Sequence, residues 1–402
     1  MNTEFILADR QLTLIRYPEK LQHVSLQAWD SADELLIDHV ESLISDMPTC
    51  DANDLVIVND DFGALGCWFT HVNPIWISDS YISLRSLKEN LTKNGHSVSM
   101  ANDTQITAPV STVTSVESMH FEPAHTPKIV VIKVPRTLAL LEQQLIDIRR
   151  YASNDTHIVA GGKAKAITKS VLALFEKYIG PTRTSLAKKK SRLIFSAFND
   201  NIASCTSPYP VTWTCKSTAG KVFTLHNHAN VFSRQSLDIG ARIMLSHMTV
   251  AANDVVVDLG CGNGILGLNA LNLAPHCKVI FVDESFMALE SARQNVLENF
   301  PEAIDQCQFI ASNCLEQLIE QQGENCVSKV LCNPPFHQQN AITDHIAWQM
   351  FHDAKDALGK GGHLVVVGNR HLDYHIKLKR IFGGITTTAS DSKFVVFTTA
   401  KR

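Results

Sequence analysis

Short apolar runs alternate with longer amphipathic stretches along the whole chain. DLVIVNDDFGALG (Asp54 to Gly66) and DVVVDLGCGNGILG (Asp254 to Gly267) each join a β-branched run to a glycine-bearing turn and a helical start. The two segments lie about two hundred residues apart, which indicates an internal repeat. Strands that alternate with helices of this length predict α/β architecture with a doubly wound, mostly parallel sheet in each half.

Three further pairs of segments follow in the same order in both halves. They are Ser78–Leu91 with Asp283–Leu297, Ile129–Arg136 with Lys329–Phe336, and His157–Lys165 with His363–His371. Polar residues and prolines interrupt the pattern between Gly180 and Tyr209, so we expect domains at 1–195 and 196–402. Lys93–Pro127 is rich in Ser, Thr, Asn and Pro, which predicts a long loop.

Composition narrows the class of protein. The 402 residues, 45% of them apolar, are enough for two cores, and the net charge of −4 excludes a globally basic nucleic-acid coat. The ten cysteines form no C-x-x-C pair and read as reduced core thiols, so no metal site is expected. The acidic start without an apolar core and the lack of a long apolar run predict a cytoplasmic protein that does not enter a membrane.

The turn DLGCGNG in the second half is the first candidate binding site. Gly260, Gly262 and Gly264 allow a sharp turn and a close approach of a ligand to the helix start. A dinucleotide is the obvious ligand, but Asp258 would place a carboxylate near its pyrophosphate. S-adenosylmethionine carries a sulfonium and an ammonium group and no phosphate, so it suits this turn better.

Two later strand ends extend the candidate cofactor site. Asp283 ends VIFVD, where a carboxylate can accept hydrogen bonds from both ribose hydroxyls. Asn313 follows QFIAS and could reach the exocyclic amine of adenine. Taken singly, a glycine-rich segment is often just a turn and a strand-end Asp is often a helix cap, but the order and gaps together favour the cofactor.

The motifs DLGCGNG, VDES and NPPF resemble those of class I methyltransferases that act on exocyclic amino groups. With HANVFSRQSLDIGARIML (His228 to Leu245) and GNRHLDYHIKLKRIFG (Gly368 to Gly383), the chain resembles ribosomal RNA guanine-N2 methyltransferases built from a duplicated domain. The resemblance implies two tandem Rossmann-like class I domains, S-adenosylmethionine as cofactor, and the N2 amine of one guanine in large-subunit rRNA as target. It also suggests that the segment containing Phe232, Ser233, Arg234 and Asp238 lines the site.

The stretch NPPF has a chemical rationale for such a target. The lone pair of the guanine amine is delocalised, so a site must orient the nitrogen. The Asn333 side-chain carbonyl and the Pro334 backbone carbonyl are suitable acceptors, on a frame made rigid by Pro334 and Pro335. Phe336 could stack on a base extruded from its helix. The alternative is a Pro-Pro turn that ends a strand beside a buried Phe.

The first half repeats the fold signs without this chemistry. Ile57 stands near the position of Asp258, Ser78 matches Asp283, and Lys133-Val134-Pro135 replaces Asn333-Pro334-Pro335. This degenerate copy could not hold the cofactor in the same way. The resemblance implies that the first domain helps to recognise RNA.

Basic residues are candidates for RNA phosphate contacts. Lysines and arginines cluster between Pro181 and Phe195 without an acid, and one arginine follows HLVVVG at a strand end. The candidates are Arg183, Lys188, Lys189, Lys190, Arg192 and Arg370. A solvated helix face is the alternative for the cluster, and a surface role is the alternative for Arg370.

Three other functions fit part of this pattern. Methylation of a guanine in small-subunit rRNA would use the same architecture. N5-methylation of a protein glutamine would use the same turn, because that amide is also planar and weakly nucleophilic, but Phe336 rather than Tyr, the basic cluster and the duplication favour RNA. A non-catalytic RNA-binding assembly factor is disfavoured by the intact Asp258, Asp283 and Asn333.

Overall fold

The computed structural model describes residues 2–19, 26–217, 220–335 and 341–402. The chain divides into two compact units, Met1–Pro208 and Tyr209–Arg402. The residues from 197 to 208 contain neither helix nor strand. The predicted limit at residue 195 and the division at Pro208 therefore lie near the two ends of this connecting segment.

The first unit alternates strands with helices, as its sequence pattern predicts. Its strands are β1 Glu4–Leu7, β2 Arg10–Thr13, β3 Leu55–Val58, β4 Ile75–Ser78, β5 Ser99–Asn102, β6 Gln105–Ala108, β7 Ser111–Thr114, β8 Ile129–Lys133, β9 His157–Lys163, β10 Thr182–Thr184 and β11 Ser191–Ser196. Its helices are α1 Ser31–Asp46, α2 Ala64–Trp68, α3 Tyr81–Lys93, α4 Ser115–Ser118, α5 Leu138–Tyr151 and α6 Lys169–Tyr178.

The second unit has the same alternation. Its strands are β12 Val211–Lys216, β13 Val222–Asn227, β14 Val255–Leu259, β15 Lys278–Asp283, β16 Cys307–Ala311, β17 Val327–Cys332, β18 Leu358–Asn369, β19 Thr386–Ser390 and β20 Phe394–Ala400. Its helices are α7 Ile239–Leu245, α8 Ile265–Leu273, α9 Phe286–Asn299, α10 Glu316–Gln322, α11 Ala341–Ala357 and α12 Tyr374–Phe382.

The large sheets of the two units have the same strand order. Among the described residues, the first sheet has seven strands in the order β7-β4-β3-β8-β9-β11-β10, and the second has seven in the order β16-β15-β14-β17-β18-β20-β19. If the seven strands of each sheet are numbered 1 to 7 in chain order, both sheets have the order 3-2-1-4-5-7-6. The seventh strand is antiparallel to its neighbours in both sheets, and the first five are parallel. The prediction of two α/β units with mostly parallel sheets is confirmed.

Central strands of these sheets are apolar because helices cover both faces. All four residues of β3 are buried, as are Val256, Val257 and Leu259 of β14. Side chains on one face of β14 pack with α8 and α9, and those on the other face pack with α11. Burial on both faces leaves the carboxyl ends of the strands as the place where polar side chains gather.

The prediction of a long loop over Lys93–Pro127 is wrong. This segment contains the β5–β6 hairpin, the sheet strand β7 and the short helix α4. Ile106 and Val110 are buried, and the Thr112 hydroxyl accepts a hydrogen bond from the Ile106 N–H at 2.8 Å. The polar composition predicted a loop because strands this short bury few side chains. Their sequences therefore show little apolar periodicity.

Candidate active site

The glycine turn and the NPP turn lie side by side. The glycine turn follows β14 and the NPP turn follows β17, and these strands are parallel neighbours with Leu259 opposite Cys332. The sheet order changes direction at this pair, between the first and fourth strands. In open α/β sheets, ligands bind at this switch point beyond the carboxyl ends of the strands.

The glycine turn has a backbone conformation that disfavours other residues. Gly262 and Gly264 have φ values of 55° and 80°. A Cβ at Gly264 would lie 2.9 Å from Cβ of Ala292, whereas one at Gly262 would meet no atom within 4 Å. The turn is therefore closely packed where α8 begins and open at Gly262, as a ligand cradle requires.

Asp258 is buried beneath this turn. It is 1% exposed, and its Oδ2 accepts a hydrogen bond from the Gly267 N–H at 2.9 Å. Burial, with a smaller contribution from the Asp283 charge, raises the pKa of Asp258 to about 8. Burial therefore favours the neutral acid, whereas a cation bound nearby would favour the carboxylate.

We expect Asp258→Asn to stabilise the protein increasingly as the pH rises from about 4 to about 8. The folded pKa of about 8 exceeds the ordinary value of 3.8, so the favourable contribution of Asp258 is present at acid pH and is lost as the pH rises. Asparagine removes that loss and still accepts the Gly267 N–H. Urea unfolding between these pH values measures the difference between variant and unsubstituted protein.

Asp254→Asn is the matched control for this prediction. Burial opposes ionisation of Asp254, but hydrogen bonds from the Ala251 N–H and Ser328 and the charge of Lys329 outweigh it and lower the pKa. This substitution should therefore destabilise the protein at neutral pH. A pH-independent gain for Asp258→Asn would contradict the assigned burial cost.

Asp283 links the end of β15 to the glycine turn. Its Oδ2 accepts the Gly262 N–H at 2.9 Å, and its Oδ1 accepts the Ser285 N–H at 3.0 Å. Burial outweighs these bonds and raises the pKa of Asp283. Each oxygen keeps acceptor capacity beyond its backbone partner, so the carboxylate fixes the turn and can also bind hydroxyl groups.

Asn313 follows β16 and is held by its neighbours. Its Nδ2 donates to Glu316 Oε1 at 3.0 Å and to Gln349 Oε1 at 3.3 Å. Its Oδ1 lies 4.0 Å from Cys314 Sγ, a weak contact. The amide is thus oriented so that, among the described residues, its carbonyl oxygen accepts only this weak contact.

Asn333 provides the most informative geometry of the NPP turn. Its Nδ2 donates to Asp238 Oδ2 at 3.1 Å, whereas its Oδ1 is buried and has no hydrogen-bond donor among the described residues. Pro334 is buried and Pro335 is exposed. Phe336 lies outside the described residues. A buried amide oxygen is costly to leave unmatched, so Asn333 points to a ligand that brings an N–H or O–H group.

Two family models match the chain. Residues 2–200 match the RLMG N-terminal domain, and residues 222–398 match the Methyltransferase small domain. The ribosomal RNA large subunit methyltransferase G of Alteromonas mediterranea is 67% identical over 100% of both chains, and that of Pseudoalteromonas atlantica is 51% identical with the same coverage. The chain belongs to the ribosomal RNA large subunit methyltransferase G family. The resemblance found in its motifs is confirmed.

A solved structure is similar in fold to this methyltransferase G family member along its full length. It is the Thermus thermophilus 16S rRNA N2 G1207 methyltransferase in complex with AdoMet and guanosine. The TM-score is 0.73, with 18% identity, 100% of this chain and 98% of that chain covered. At this identity the likeness establishes the duplicated fold.

In the first unit of this methyltransferase G family member, a carboxylate from a different sequence position makes the corresponding hydrogen bond beneath the turn. Gly63 is the N-cap of α2 with φ 83°, as Gly264 is the N-cap of α8 with φ 80°. The Gly66 N–H donates to Asp60 Oδ2 at 2.8 Å, which reproduces the bond between Gly267 and Asp258. Sequence comparison missed Asp60 because it lies in the loop, after the strand position where Ile57 is matched.

In the first unit, Lys133 occupies the strand end that corresponds to the NPP turn. Its Nζ lies 2.8 Å from Asp33 and 3.4 Å from Asp61 Oδ2, at the strand end where the second unit has Asn333. Burial alone would lower the pKa of Lys133, but these carboxylates raise it above the ordinary value. The ammonium group supplies donors and no acceptor, so this unit cannot hold an amine as Asn333 can.

Both units of this family member also contain an asparagine contact that our sequence reasoning missed. Asn295 Nδ2 donates to the carbonyl oxygens of His226 and Asn263 at 3.0 and 2.9 Å, and ties β13 to the glycine turn. In the first unit, Asn90 Nδ2 donates to the carbonyl oxygens of Ile15 and Phe62 at 2.9 and 2.8 Å. The signal was present as a repeated Ser-x₃-Asn-x₃-Asn spacing on both helices.

The basic cluster forms the β10–β11 hairpin, so the alternative of a helix face is wrong. Lys188, Lys189 and Lys190 are exposed in its turn. Lys189 Nζ pairs with Glu34 Oε2 at 2.6 Å, and the Arg183 guanidinium lies 4.5 Å from the centre of the Phe195 ring. Arg192 is half-buried. The hairpin thus presents several cations at the edge of the first sheet.

Arg370 has protein partners in the structure. Its Nε donates to the Asp391 carbonyl at 2.8 Å, and its Nη2 donates to Ser390 Oγ at 2.5 Å. Both acceptors lie at the end of β19 or just after it. The side chain is exposed, so it holds this turn while leaving donors for solvent or a ligand.

No group of three or more His, Cys, Asp or Glu side chains among the described residues could hold a metal ion. None of the helices in this part of the chain combines the length and apolarity needed to cross a membrane.

Proposed function

We propose that the protein transfers a methyl group from S-adenosylmethionine to the exocyclic N2 amine of a specific guanine in 23S (large-subunit) rRNA. Residues 196–402 would carry the chemistry, and residues 1–195 would contribute to RNA recognition. The buried, unmatched Oδ1 of Asn333 beside the glycine turn carries the proposal, because it requires an N–H or O–H donor at the switch point. The full-length relatives named for large-subunit rRNA support this substrate.

The residues around the glycine turn fit S-adenosylmethionine. The cofactor supplies an electrophilic methyl group on a sulfonium. Gly260, Gly262 and Gly264 provide the cradle, and a cationic ligand near the turn would favour the ionised form of the buried Asp258. We assign Asp283 to the ribose hydroxyls because acceptor capacity remains on both oxygens. Asn313 is assigned to the adenine amine through its carbonyl oxygen.

Asp283→Ala should weaken cofactor binding by about tenfold to a hundredfold, because it removes a charged acceptor worth about 1.5–3 kcal/mol and releases the Gly262 N–H. Titration calorimetry with S-adenosylmethionine measures the affinity. Asp305→Ala, which removes an exposed carboxylate elsewhere in the same unit, is the control. Unchanged affinity would remove Asp283 from the cofactor site.

The NPP turn fits the amine that receives the methyl group. Asn333 Oδ1 can accept one N–H of the guanine amine, and the Pro334 backbone carbonyl can accept the other. Pro335 stiffens the turn. This arrangement aligns the nitrogen for attack without needing a strong base. We assign Phe336 to stacking on the extruded base, an interaction worth about 1–3 kcal/mol.

The basic hairpin is our candidate for RNA phosphate binding. Arg183, Lys188, Lys189 and Lys190 lie on its exposed part, and the half-buried Arg192 lies on β11. Phosphate contacts of this kind position a substrate without reading its sequence. We include Arg370 with them.

Replacement of Lys188, Lys189 and Lys190 by Gln should weaken RNA binding and flatten its salt dependence. Each lost phosphate contact lowers the slope of log affinity against log salt by about 0.7–0.9. Since Lys189 already pairs with Glu34, Lys188 and Lys190 should account for most of the change. Filter binding at several salt concentrations measures the slope.

The matched control replaces three exposed lysines of the second unit by Gln. They are Lys216, Lys278 and Lys360. Lys278 and Lys360 lie at the starts of β15 and β18, at the opposite edge of the sheet from the candidate site. Equal slopes for the two triple variants would remove the hairpin from the RNA interface.

The substrate class is tested by offering two substrates side by side. We expect labelled methyl from S-adenosylmethionine to enter rRNA from cells that lack this enzyme, and not proteins of the same cells. Label in protein alone would replace the proposal with glutamine methylation. Cofactor binding without transfer to either would contradict the RNA substrate, and an undetectable cofactor affinity would favour a non-catalytic RNA-binding factor.

A further inference from the structure

Asp238 makes two hydrogen bonds with the same carboxylate oxygen. It precedes α7 as its N-cap, where Oδ2 accepts the Ala241 N–H at 2.9 Å. The same Oδ2 accepts Nδ2 of Asn333 at 3.1 Å. We propose that Asp238 is a positioning residue that fixes the direction of the Asn333 amide, so that its carbonyl oxygen faces the amine to be methylated. This inference rests on the proposed function.

The direction of an amide is not fixed by its shape. The carbonyl and amino ends of an Asn side chain have nearly the same size, so either could face the substrate. An ionised carboxylate only accepts hydrogen bonds. Asp238 therefore selects the Nδ2 end of Asn333 and leaves Oδ1 on the other side, where it is buried without a donor among the described residues.

Asp238 is itself held in place by its role as a helix cap. Its bond to the Ala241 N–H fixes the carboxylate at the start of α7, and Ala241 and Met244 are buried in the core of the unit. The negative charge also polarises the amide that donates to it, which strengthens Oδ1 as an acceptor. Asp238 thus gives Asn333 both a direction and a better acceptor.

The first unit has the corresponding contact without the spare acceptor. Asp30 is the N-cap of α1, and Asp33 lies in the first turn of that helix. Lys133, at the end of β8, donates to Asp33 at 2.8 Å. A strand end and the acidic start of a helix therefore meet in both units. In the second, replacing an ammonium by an amide leaves a carbonyl oxygen for a substrate.

Two variants separate positioning from capping. Asp238→Ser keeps a side-chain oxygen that caps α7, but it is too short to hold Asn333. Asp238→Asn keeps the size and a capping oxygen, but its other end can donate or accept, so it no longer selects one direction of the amide. We expect both variants to keep the melting temperature and the affinity for S-adenosylmethionine.

The measurement is single-turnover methyl transfer to rRNA that lacks the modification. We expect Asp238→Ser to lower the rate at saturating rRNA at least tenfold and Asp238→Asn to lower it less. In an Asn333→Ala background, Asp238→Ser should cause no further loss, since it acts through that side chain.

The outcomes distinguish the inference from the function on which it rests. If the unsubstituted protein methylates rRNA and either Asp238→Ser keeps its rate or its loss is the same with Asn333→Ala, the positioning role is overturned. If Asp238→Ser does not fold, an unchanged rate for Asp238→Asn overturns it equally. No transfer by the unsubstituted protein would overturn the proposed function itself, and with it the reaction that Asp238 serves.

Discussion

Asn333→Ala is expected to lower the rate of methyl transfer by about 10²–10³-fold, the range found when one preorganised hydrogen-bonding group is removed from an active site. The substitution removes the buried Oδ1 that we assign to the guanine amine. Affinity for S-adenosylmethionine should stay within about twofold, because the side chain of Asn333 donates to Asp238 and, among the described residues, makes no hydrogen bond to the glycine turn.

Methyl transfer and titration calorimetry on the same preparation separate the two quantities. Asn201→Ala, which deletes an exposed amide of the first unit, is the control and should leave both unchanged. A parallel loss of transfer and cofactor binding would show that Asn333 supports the structure of the site and not the orientation of the amine.

Lys133→Met is expected to lower the free energy of unfolding of the first unit by about 3–5 kcal/mol, the cost of breaking a buried ion pair from one side. The Lys133 side chain is 10% exposed and that of Asp33 is 1% exposed. Methionine has a similar length but cannot pair with Asp33. Burial already raises the pKa of Asp33 to about 7 with Lys133 present, so without Lys133 the carboxyl group must take up a proton or remain as an unpaired buried charge. Urea unfolding measures the loss. It is followed by tryptophan fluorescence in a background in which Trp213 and Trp348 of the second unit are replaced by Phe, so that the signal comes from the first unit, which includes the buried Trp76 of β4.

Two further variants test the cause of that loss. Lys163→Met removes an ion pair with Asp30 in which the side chains are 40% and 36% exposed, and it should cost at most about 1 kcal/mol. Adding Asp33→Asn to Lys133→Met should recover a large part of the stability, because the unpaired charge is gone. A loss that Asp33→Asn does not reduce would contradict the ion-pair explanation.

The sequence predicts strand ends well and side-chain partners poorly. Gly264, Asp283 and Asn333 could be assigned to turns because an apolar run precedes each of them. The bond between Asn333 and Asp238 joins residues 95 positions apart. No local pattern encodes such a pair, since it depends on how α7 returns to the sheet.

The first unit shows a second reason why side-chain partners are hard to predict from the sequence. Asp60, in a loop, accepts the Gly66 N–H of the first unit. Asp258, on a strand, accepts the equivalent Gly267 N–H of the second unit. The contact is retained while the position of the residue changes. Comparison of aligned residues therefore finds Ile57 and suggests that the carboxylate is lost, whereas the fold retains it.

The most direct test of the central claim identifies the methylated nucleoside. Large-subunit rRNA from cells that lack this enzyme is treated with the protein and labelled S-adenosylmethionine, digested to nucleosides and analysed by mass spectrometry. We predict that the label is found in N2-methylguanosine, and that Asn333→Ala lowers the rate at which it appears by about 10²–10³-fold. Label in another nucleoside would contradict the assignment of the NPP turn to the guanine N2 amine.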